Sequence, residues 1–412
     1  MEMNNETGAA KGILAPKGFE AAYTSAGIKK NNALDMALIY SETPCIAAGT
    51  FTRNRVFAAP VQWDRGLIQT SPCFNAIVVN AGVANACTGE KGLQDCKDTA
   101  EAVAKNIPCN PENVLICSTG VIGANLPMDK IKSGIEAMAK TLSSNPENGH
   151  GAAKAIMTTD TRPKEVSITV DIDGTPVTIG GMCKGAGMIH PNMATMLCFV
   201  TTDVLIKKKL LTTAFKEVID DSFNMISVDG DTSTNDTAIV LANGKAENKI
   251  IDSKNESYET FKRALGHVCT ELAKMIAGDG EGCTALIEAT VCNAKTRDDA
   301  RTLAKSIVTS SLTKAAVFGH DANWGRILAA MGYSGVDFDP EIVDIFVSSN
   351  NGRLQLVKDG IATDYSEDEA TSILSGNPVI ITADIKKGGE TATAWGCDLT
   401  LEYVKINADY RS

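Results

Sequence analysis

Two hydrophobic periods alternate along this chain, and together they restrict it to a layered fold of strands and helices. Val166, Ile168, Val170 and Ile172 alternate strictly with more polar neighbours and run into Asp173-Gly174. That is the period-two pattern of a half-buried strand entering a turn. Phe261, Leu265, Val268, Leu272 and Met275 recur instead at steps of four and three, and Ala300, Leu303, Ala304, Ile307 and Val308 behave similarly. Each set makes one apolar stripe along a helix. Short apolar runs add expected strands at 76–79, 114–117, about 195–200, 285–291, 379–385 and 399–404. Asn351-Gly352, between apolar runs at 345–347 and 354–357, predicts a hairpin turn, because both residues tolerate positive φ. Hairpins mixed with helices point to α+β layers, not to a regular doubly wound sheet. With 412 residues the chain can bury a large core in two or more packed units.

Charge and composition exclude several functions. A net charge of -11, with Lys207-Lys208-Lys209 and Lys386-Lys387 as the nearest basic clusters, offers no cationic footprint for nucleic acid. Twelve cysteines are scattered without a C-x-x-C pair, so neither a zinc site nor a disulfide framework is expected. They read as reduced, buried small hydrophobes. The opening MEMNNETGAAKG lacks a basic-then-apolar leader, and no apolar run approaches the roughly 20 residues of a membrane span. A cytoplasmic protein is expected.

The segment from Lys184 to Asp203, KGAGMIHPNMATMLCFVTTD, runs from a Gly- and Pro-containing turn into a strand that begins at a threonine. A threonine hydroxyl is a poor nucleophile without a base beside it. A cut between Ala194 and Thr195 would make Thr195 the first residue of a new chain. Its own α-amine, with an ordinary pKa of about 7.7–8.0, would then serve as that base. The small Ala194 leaves room for the hydroxyl to attack the preceding carbonyl. Read by pattern alone, Thr195 is an ordinary β-branched strand residue.

A series of segments in fixed order resembles one family over nearly the whole chain. These are PKGFEAA and SAGIK within 16–29, FTRN and AAPV within 51–61, NACTGEKGLQD at 85–95 and CSTGVIG at 117–123. MTTDT at 157–161, SVDGDTSTNDT at 227–237, DGEG at 279–282, NWGRI at 323–327 and the terminal NADYRS complete it. The resemblance is to the ornithine acetyltransferase (glutamate N-acetyltransferase, ArgJ) family. It implies an α+β layered αββα sandwich of the DmpA/ArgJ-like type, processed by self-cleavage into an α chain, 1–194, and a β chain, 195–412, associated as an α2β2 heterotetramer. It implies transfer of an acetyl group from N-acetylornithine to glutamate by a ping-pong route through Thr195, with acetyl-CoA as a further possible donor and with no cofactor or metal. Sequence does not separate family members that use acetyl-CoA from those that do not.

The resemblance also assigns roles. Thr195 is the nucleophile, and Thr119 and Gly120 form an oxyanion hole. Lys184 binds an α-carboxylate, Thr158 contacts substrate (neighbouring Thr159 fits the register equally), and Glu281 meets the substrate's amino end. Asn407 and Ser412 are C-terminal binding positions, which requires the tail to fold back into the site. Each has a plainer reading from residue type alone: Ser118-Thr119-Gly120 as a capped strand-to-helix turn, Lys184 as a solvated loop lysine, Thr158 as a cap, Glu281 as part of a helix-end turn, and the tail as a frayed terminus.

The plainer reading is taken for His190 and His320, and for Asp229, Asp231 and Asp236, whose spacing lacks the pattern of a calcium loop. No phosphate loop is present. The chain departs from the family pattern at Ala81 and Val83, where polar residues are expected, at Ala322 in place of proline, and at His190 where alanine is frequent. An aminopeptidase or amidase on the same fold, with water as acceptor, and an unprocessed amino-acid-binding protein are the alternatives. The processing point is also expected to fall between an early strand-rich part and a helical part.

Overall fold

The computed structural model describes residues 12–190 and 196–408. Thr195, Ala194 and Ser412 lie outside the described residues. In chain order the first elements are β1 (Glu20–Thr24), β2 (Met36–Phe51), α1 (Ala59–Thr70), β3 (Phe74–Val83), α2 (Gly89–Asn106) and β4 (Val114–Val121). Next come α3 (Met128–Ala139), α4 (Pro146–Ala155), β5 (Lys164–Ile172), β6 (Thr175–Lys184) and β7 (Leu197–Thr202). Then follow α5 (Lys208–Asp220), β8 (Ile226–Ser227), β9 (Thr237–Ala242) and α6 (Glu256–Ala277).

The long β2 belongs to two sheet layers. Its first half pairs with β1 and β3, its register shifts between Tyr40 and Cys45, and its second half pairs with β9. The order β4-β3-β2-β9-β7-β6-β5 thereby turns back on itself. Ala37, Ile39, Ile77, Val79 and Leu115 from one layer share a core with Ala47, Leu197, Phe199, Ile239 and Leu241 from the other. The outer face of the first layer, with Leu38, Val78 and Ile116, packs on Ala100 and Val103 of α2 and on Ile131 and Ile135 of α3. The outer face of the second, with Ile179, Cys198 and Val240, packs on Phe215 of α5 and on Phe261, Leu265, Val268 and Leu272 of α6. The result is a helix–sheet–sheet–helix, αββα, sandwich.

The remaining elements are β10 (Leu286–Ala294), α7 (Arg297–Thr309), α8 (Ser311–Phe318), α9 (Trp324–Gly332), β11 (Asp344–Ser349) and β12 (Gly352–Lys358). β13 (Ile361–Ala362), α10 (Glu367–Leu374), β14 (Val379–Asp384), β15 (Glu390–Cys397) and α11 (Leu401–Ala408) complete the chain order. They build a seven-stranded sheet, β13-β12-β11-β14-β10-β15-β8. Ile287, Ala289, Val291, Ile345 and Ile381 on one of its faces pack with Ala300, Leu303, Ala304 and Ile307 of α7.

Local chemistry explains the elements. The alternating stretch is β5, and Asp173 (φ 53°) and Gly174 (φ 80°) form the two-residue turn between Ile172 and Thr175. Two positive φ values match the twist of a tight hairpin. Helix α6 starts at Asn255, whose side chain accepts from the Tyr258 amide, and carries Glu256 and Glu259 in its first turn and Lys274 in its last. Each charge opposes the helix dipole end it sits on.

Three expectations need correction. The hairpin loop between β11 and β12 is Asn350-Asn351, because Gly352 already pairs with Ser349 and supplies the positive φ, 143°, as the first residue of β12. Residues 399–404 are not a strand. Thr400 receives the Tyr403 amide and starts helix α11, whose Leu401 and Val404 are 74% and 60% exposed. Their apolar spacing buries nothing. Strands and helices also occur on both sides of residue 194, so no strand-rich part is separated from a helical one. Among the described residues no helix is long and apolar enough to cross a membrane. All twelve cysteines are free; seven are buried and Cys87 is exposed.

Candidate active site

The ends of β4, β6, β7 and β9 meet the loops at 157–161, 185–190, 231–236 and 278–285 around one cavity of about 490 Å³. It is lined by Thr119, Gly120, Thr158, Thr159, Lys184 and Glu281, with Asn407 of α11 at one side. Six positions expected from the sequence are thus brought together, with both Thr158 and its alternative Thr159 on the wall. Met196 and Leu197, which follow the expected nucleophile position, line the same cavity. The Met196 carbonyl accepts from the Thr237 amide at 3.0 Å, fixing the entry of β7 beside β9.

The Ser118-Thr119-Gly120 segment is held from three sides. β4 lies parallel to β3 with Gly120 opposite Gly82. A Cβ on Gly120, at φ 131°, would lie 2.2 Å from the Gly82 carbonyl carbon, so only glycine permits this approach. Ser118 Oγ donates to Asn80 Oδ1 at 2.7 Å. Asn235 Nδ2 donates to the carbonyls of Ser118 at 2.8 Å and Ala84 at 2.6 Å. Ala81 is fully buried and its amide donates to the Asp35 carbonyl at 2.8 Å. An apolar side chain therefore suits a position where a polar one was expected.

Lys184 ends β6 with 8% exposure, and its Nζ lies 3.5 Å from Thr119 Oγ1. Burial lowers its pKa, while the Asp160 carboxylate pulls in the opposite direction. Glu281 is also 8% exposed. Its Oε2 accepts from Asn407 Nδ2 at 2.7 Å. A Cβ on Gly187 would lie 2.3 Å from the same carboxylate, so the backbone at 187 is part of its seat.

Behind these residues lies a group that sequence reading missed. Lys164, fully buried, donates to Asp160 Oδ1 at 2.7 Å and to Asp279 Oδ2 at 2.5 Å. Asp160 also accepts from the Thr158 amide at 2.9 Å and the Gly185 amide at 2.6 Å. Burial pushes the Asp160 carboxyl up. The Lys184 and Lys164 charges and these hydrogen bonds outweigh burial and hold it at about 2. Nearby, Lys29 Nζ donates to the carbonyls of Met157 at 2.6 Å and Leu34 at 2.8 Å.

Asp236, weighed from sequence only as a metal ligand, lines the cavity with Ser233, Thr234 and Asn235. Their motif, SVDGDTSTNDT, was visible, but their convergence on Thr119 was not. Asp229 is engaged by the amides of Met188 at 2.6 Å and Ile189 at 2.9 Å and by the Tyr403 hydroxyl at 3.2 Å. His190 shares a 3.1 Å hydrogen bond with Ser227, and burial, aided by the Lys305 charge, lowers its pKa to about 4. His320 is exposed. The arrangement offers a cation and a carboxylate in one cavity, with the Thr119 hydroxyl beside the cation.

Comparisons with known proteins agree with this architecture. The arginine biosynthesis bifunctional protein ArgJ 1 of Clostridium acetobutylicum is 52% identical over 394 residues, covering 96% of each chain. The glutamate N-acetyltransferase of Methanocaldococcus jannaschii is 47% identical over 405 residues, covering 97% of this chain and 98% of the relative. A crystal structure of the arginine biosynthesis bifunctional protein argJ from Bacillus halodurans matches with 46% identity and a TM-score of 0.50. It covers 52% of this chain and 99% of its own. The ArgJ family model matches residues 20–412, and the chain belongs to that family.

Proposed function

We propose that this protein is a glutamate N-acetyltransferase that moves an acetyl group from N-acetylornithine to glutamate through an acetyl ester on Thr195. The observation that carries this reading is the pairing of Lys184 and Glu281 in the cavity that also holds Thr119, Gly120 and the start of β7. A free amino acid needs a cation for its α-carboxylate and an anion for an ammonium group, and both are here in a nearly dry setting. The relatives named for this activity, alike over almost their full lengths, support it.

In this reading the chain cuts itself between Ala194 and Thr195 into 1–194 and 195–412. The Bacillus halodurans chain, matched over 99% of its length yet covering 52% of this one, has about the length of the second piece. The freed α-amine of Thr195 takes the hydroxyl proton as the oxygen attacks the acetyl carbonyl. The Thr119 hydroxyl and the Gly120 N–H stabilise the oxyanion. The C–N bond breaks, and ornithine leaves with the proton. The amine of glutamate then attacks the ester, the C–O bond breaks, and Thr195 recovers its hydroxyl. Lys184 holds the α-carboxylate and Glu281 the distal ammonium, with Thr158, Asn407 and Ser412 completing the site. The two pieces pair as α2β2 in the cytoplasm, and acetyl-CoA is a second donor for the same acyl-threonine.

The test is intact mass and a denaturing gel of the wild type beside Thr195→Ala, with the N-acetylornithine–glutamate exchange assay. Two fragments, the second beginning at Thr195, with one full-length and inactive band in the variant, are expected. An active wild type that remains a single chain would overturn the mechanism. Acetate release independent of glutamate would make the protein a hydrolase.

A further inference from the structure

We propose that Lys164 is a positioning residue that sets the two charged ends of the substrate cavity in register with each other. The proposal rests on reading the cavity as an amino-acid site. Lys164 begins β5, is fully buried, and does not line the cavity. Its ammonium bridges two carboxylates, Asp160 at 2.7 Å, four residues away in the chain, and Asp279 at 2.5 Å, 115 residues away.

Each carboxylate then organises one end of the site. Asp160 accepts from the amides of Thr158 and Gly185, the latter directly after Lys184. It therefore fixes the threonine and the lysine that would meet the α-carboxylate. Asp279 accepts from the Thr161 amide at 3.1 Å and from the Thr161 hydroxyl, and it lies two residues before Glu281. The Glu281 amide in turn donates to the Ala186 carbonyl at 2.9 Å, closing the loop back to Gly185. One ammonium thus ties the 158–161 turn, the end of β6 and the 279–281 turn into a single rigid frame. A buried cation with two charged acceptors is held far more firmly than a surface pair, because removing any member strands the others without solvent. The separation between Lys184 and Glu281, and so the length of amino acid that fits, is fixed by this frame and not by either side chain alone.

The experiment is steady-state exchange kinetics on Asp279→Asn, which keeps shape and loses charge, and on Thr161→Val, an exposed position where only the hydroxyl contact is lost. Processing is followed on a denaturing gel and folding by Tm. We expect folded, processed variants in which KM for N-acetylornithine rises about tenfold in Asp279→Asn and less in Thr161→Val, with kcat at saturation changed far less. A role confined to stability would lower Tm and the active fraction while leaving KM unchanged. Unchanged KM in a folded Asp279→Asn would overturn the proposal. Should Asp279→Asn not fold, an unchanged KM in Thr161→Val would overturn it. Failure of the underlying site reading looks different, since the wild type itself would then show no exchange.

Discussion

Asn407 donates a 2.7 Å hydrogen bond to the Glu281 carboxylate, joining the last described helix to a residue 126 positions earlier in the chain. Helix α11 buries no residue of its own. It is held by polar contacts: Asn407 to Glu281, the Tyr403 hydroxyl to Asp229, and the Thr400 hydroxyl to the Gly282 carbonyl at 2.7 Å. Such a helix adds little to global stability and much to the shape of the cavity wall.

Asn407→Ala should therefore separate activity from stability. A hydrogen bond to a charged acceptor contributes about 1.5 kcal/mol or more, so kcat/KM for exchange should fall about tenfold. The melting temperature should move by no more than about 1–2 °C, because no apolar surface is uncovered. Differential scanning calorimetry beside the kinetic assay checks both, and a large drop in Tm would contradict the docking role.

Gly120→Ala should abolish the donor geometry at the Thr119-Gly120 turn. The added Cβ meets the Gly82 carbonyl at 2.2 Å and the Val83 amide nitrogen at 2.6 Å, and both are backbone atoms with nowhere to move. We expect kcat to fall by at least about 10²-fold, the scale of losing one oxyanion donor. Gly123→Ala is the control, since Gly123 also has positive φ, 85°, but nothing within 4 Å of an added Cβ. Equal losses in the two variants would mean that strain in the loop, and not the approach to Gly82, governs activity.

Acid stability should depend on Asp160. Its carboxyl is held at about 2 against an ordinary 3.8. A depressed folded-state value stabilises the fold fully above the unfolded value near pH 4, and this stabilisation is lost as pH falls through about 2. At about 1.4 kcal/mol per unit the contribution is on the order of 2 kcal/mol. Asp160→Asn should be less stable at pH 7 and should show a shallower decline of Tm between pH 4 and pH 2. A parallel decline in both proteins would show that other carboxylates dominate.

The sequence carried the local structure well wherever one face of an element is buried. The alternation at 166–172 and the stripe at 261–275 mark β5 and α6 because burial imposes those periods. It failed at 399–404, where α11 is exposed and its apolar residues answer to no core. The expected Asn351-Gly352 turn lies one residue late, because Gly352 uses its positive φ as the first residue of β12, already paired with Ser349. Thr119, Lys184 and Glu281 were legible through the family's motifs. The roles of Lys164, Asp279 and Asn235 were not, although the last two stand in those motifs. Apart from the Lys164–Asp160 pair, four residues apart, the contacts that join these residues to the site span 115 to 151 residues, and neither residue type nor spacing announces such contacts.

Strand β7 lies between β6, with which it runs antiparallel, and β9, with which it runs parallel, and all six of its residues are buried. A break in the chain just before it would leave the new end at the centre of a sheet, with neighbours drawn from both pieces. Such a molecule is assembled as one polypeptide and endures as two. Once unfolded, its halves would have to find each other by diffusion, a search the newborn chain never faced. Maturation would then be a ratchet, and the lifetime of the mature protein would be set by how slowly it opens, not by how readily it could close again.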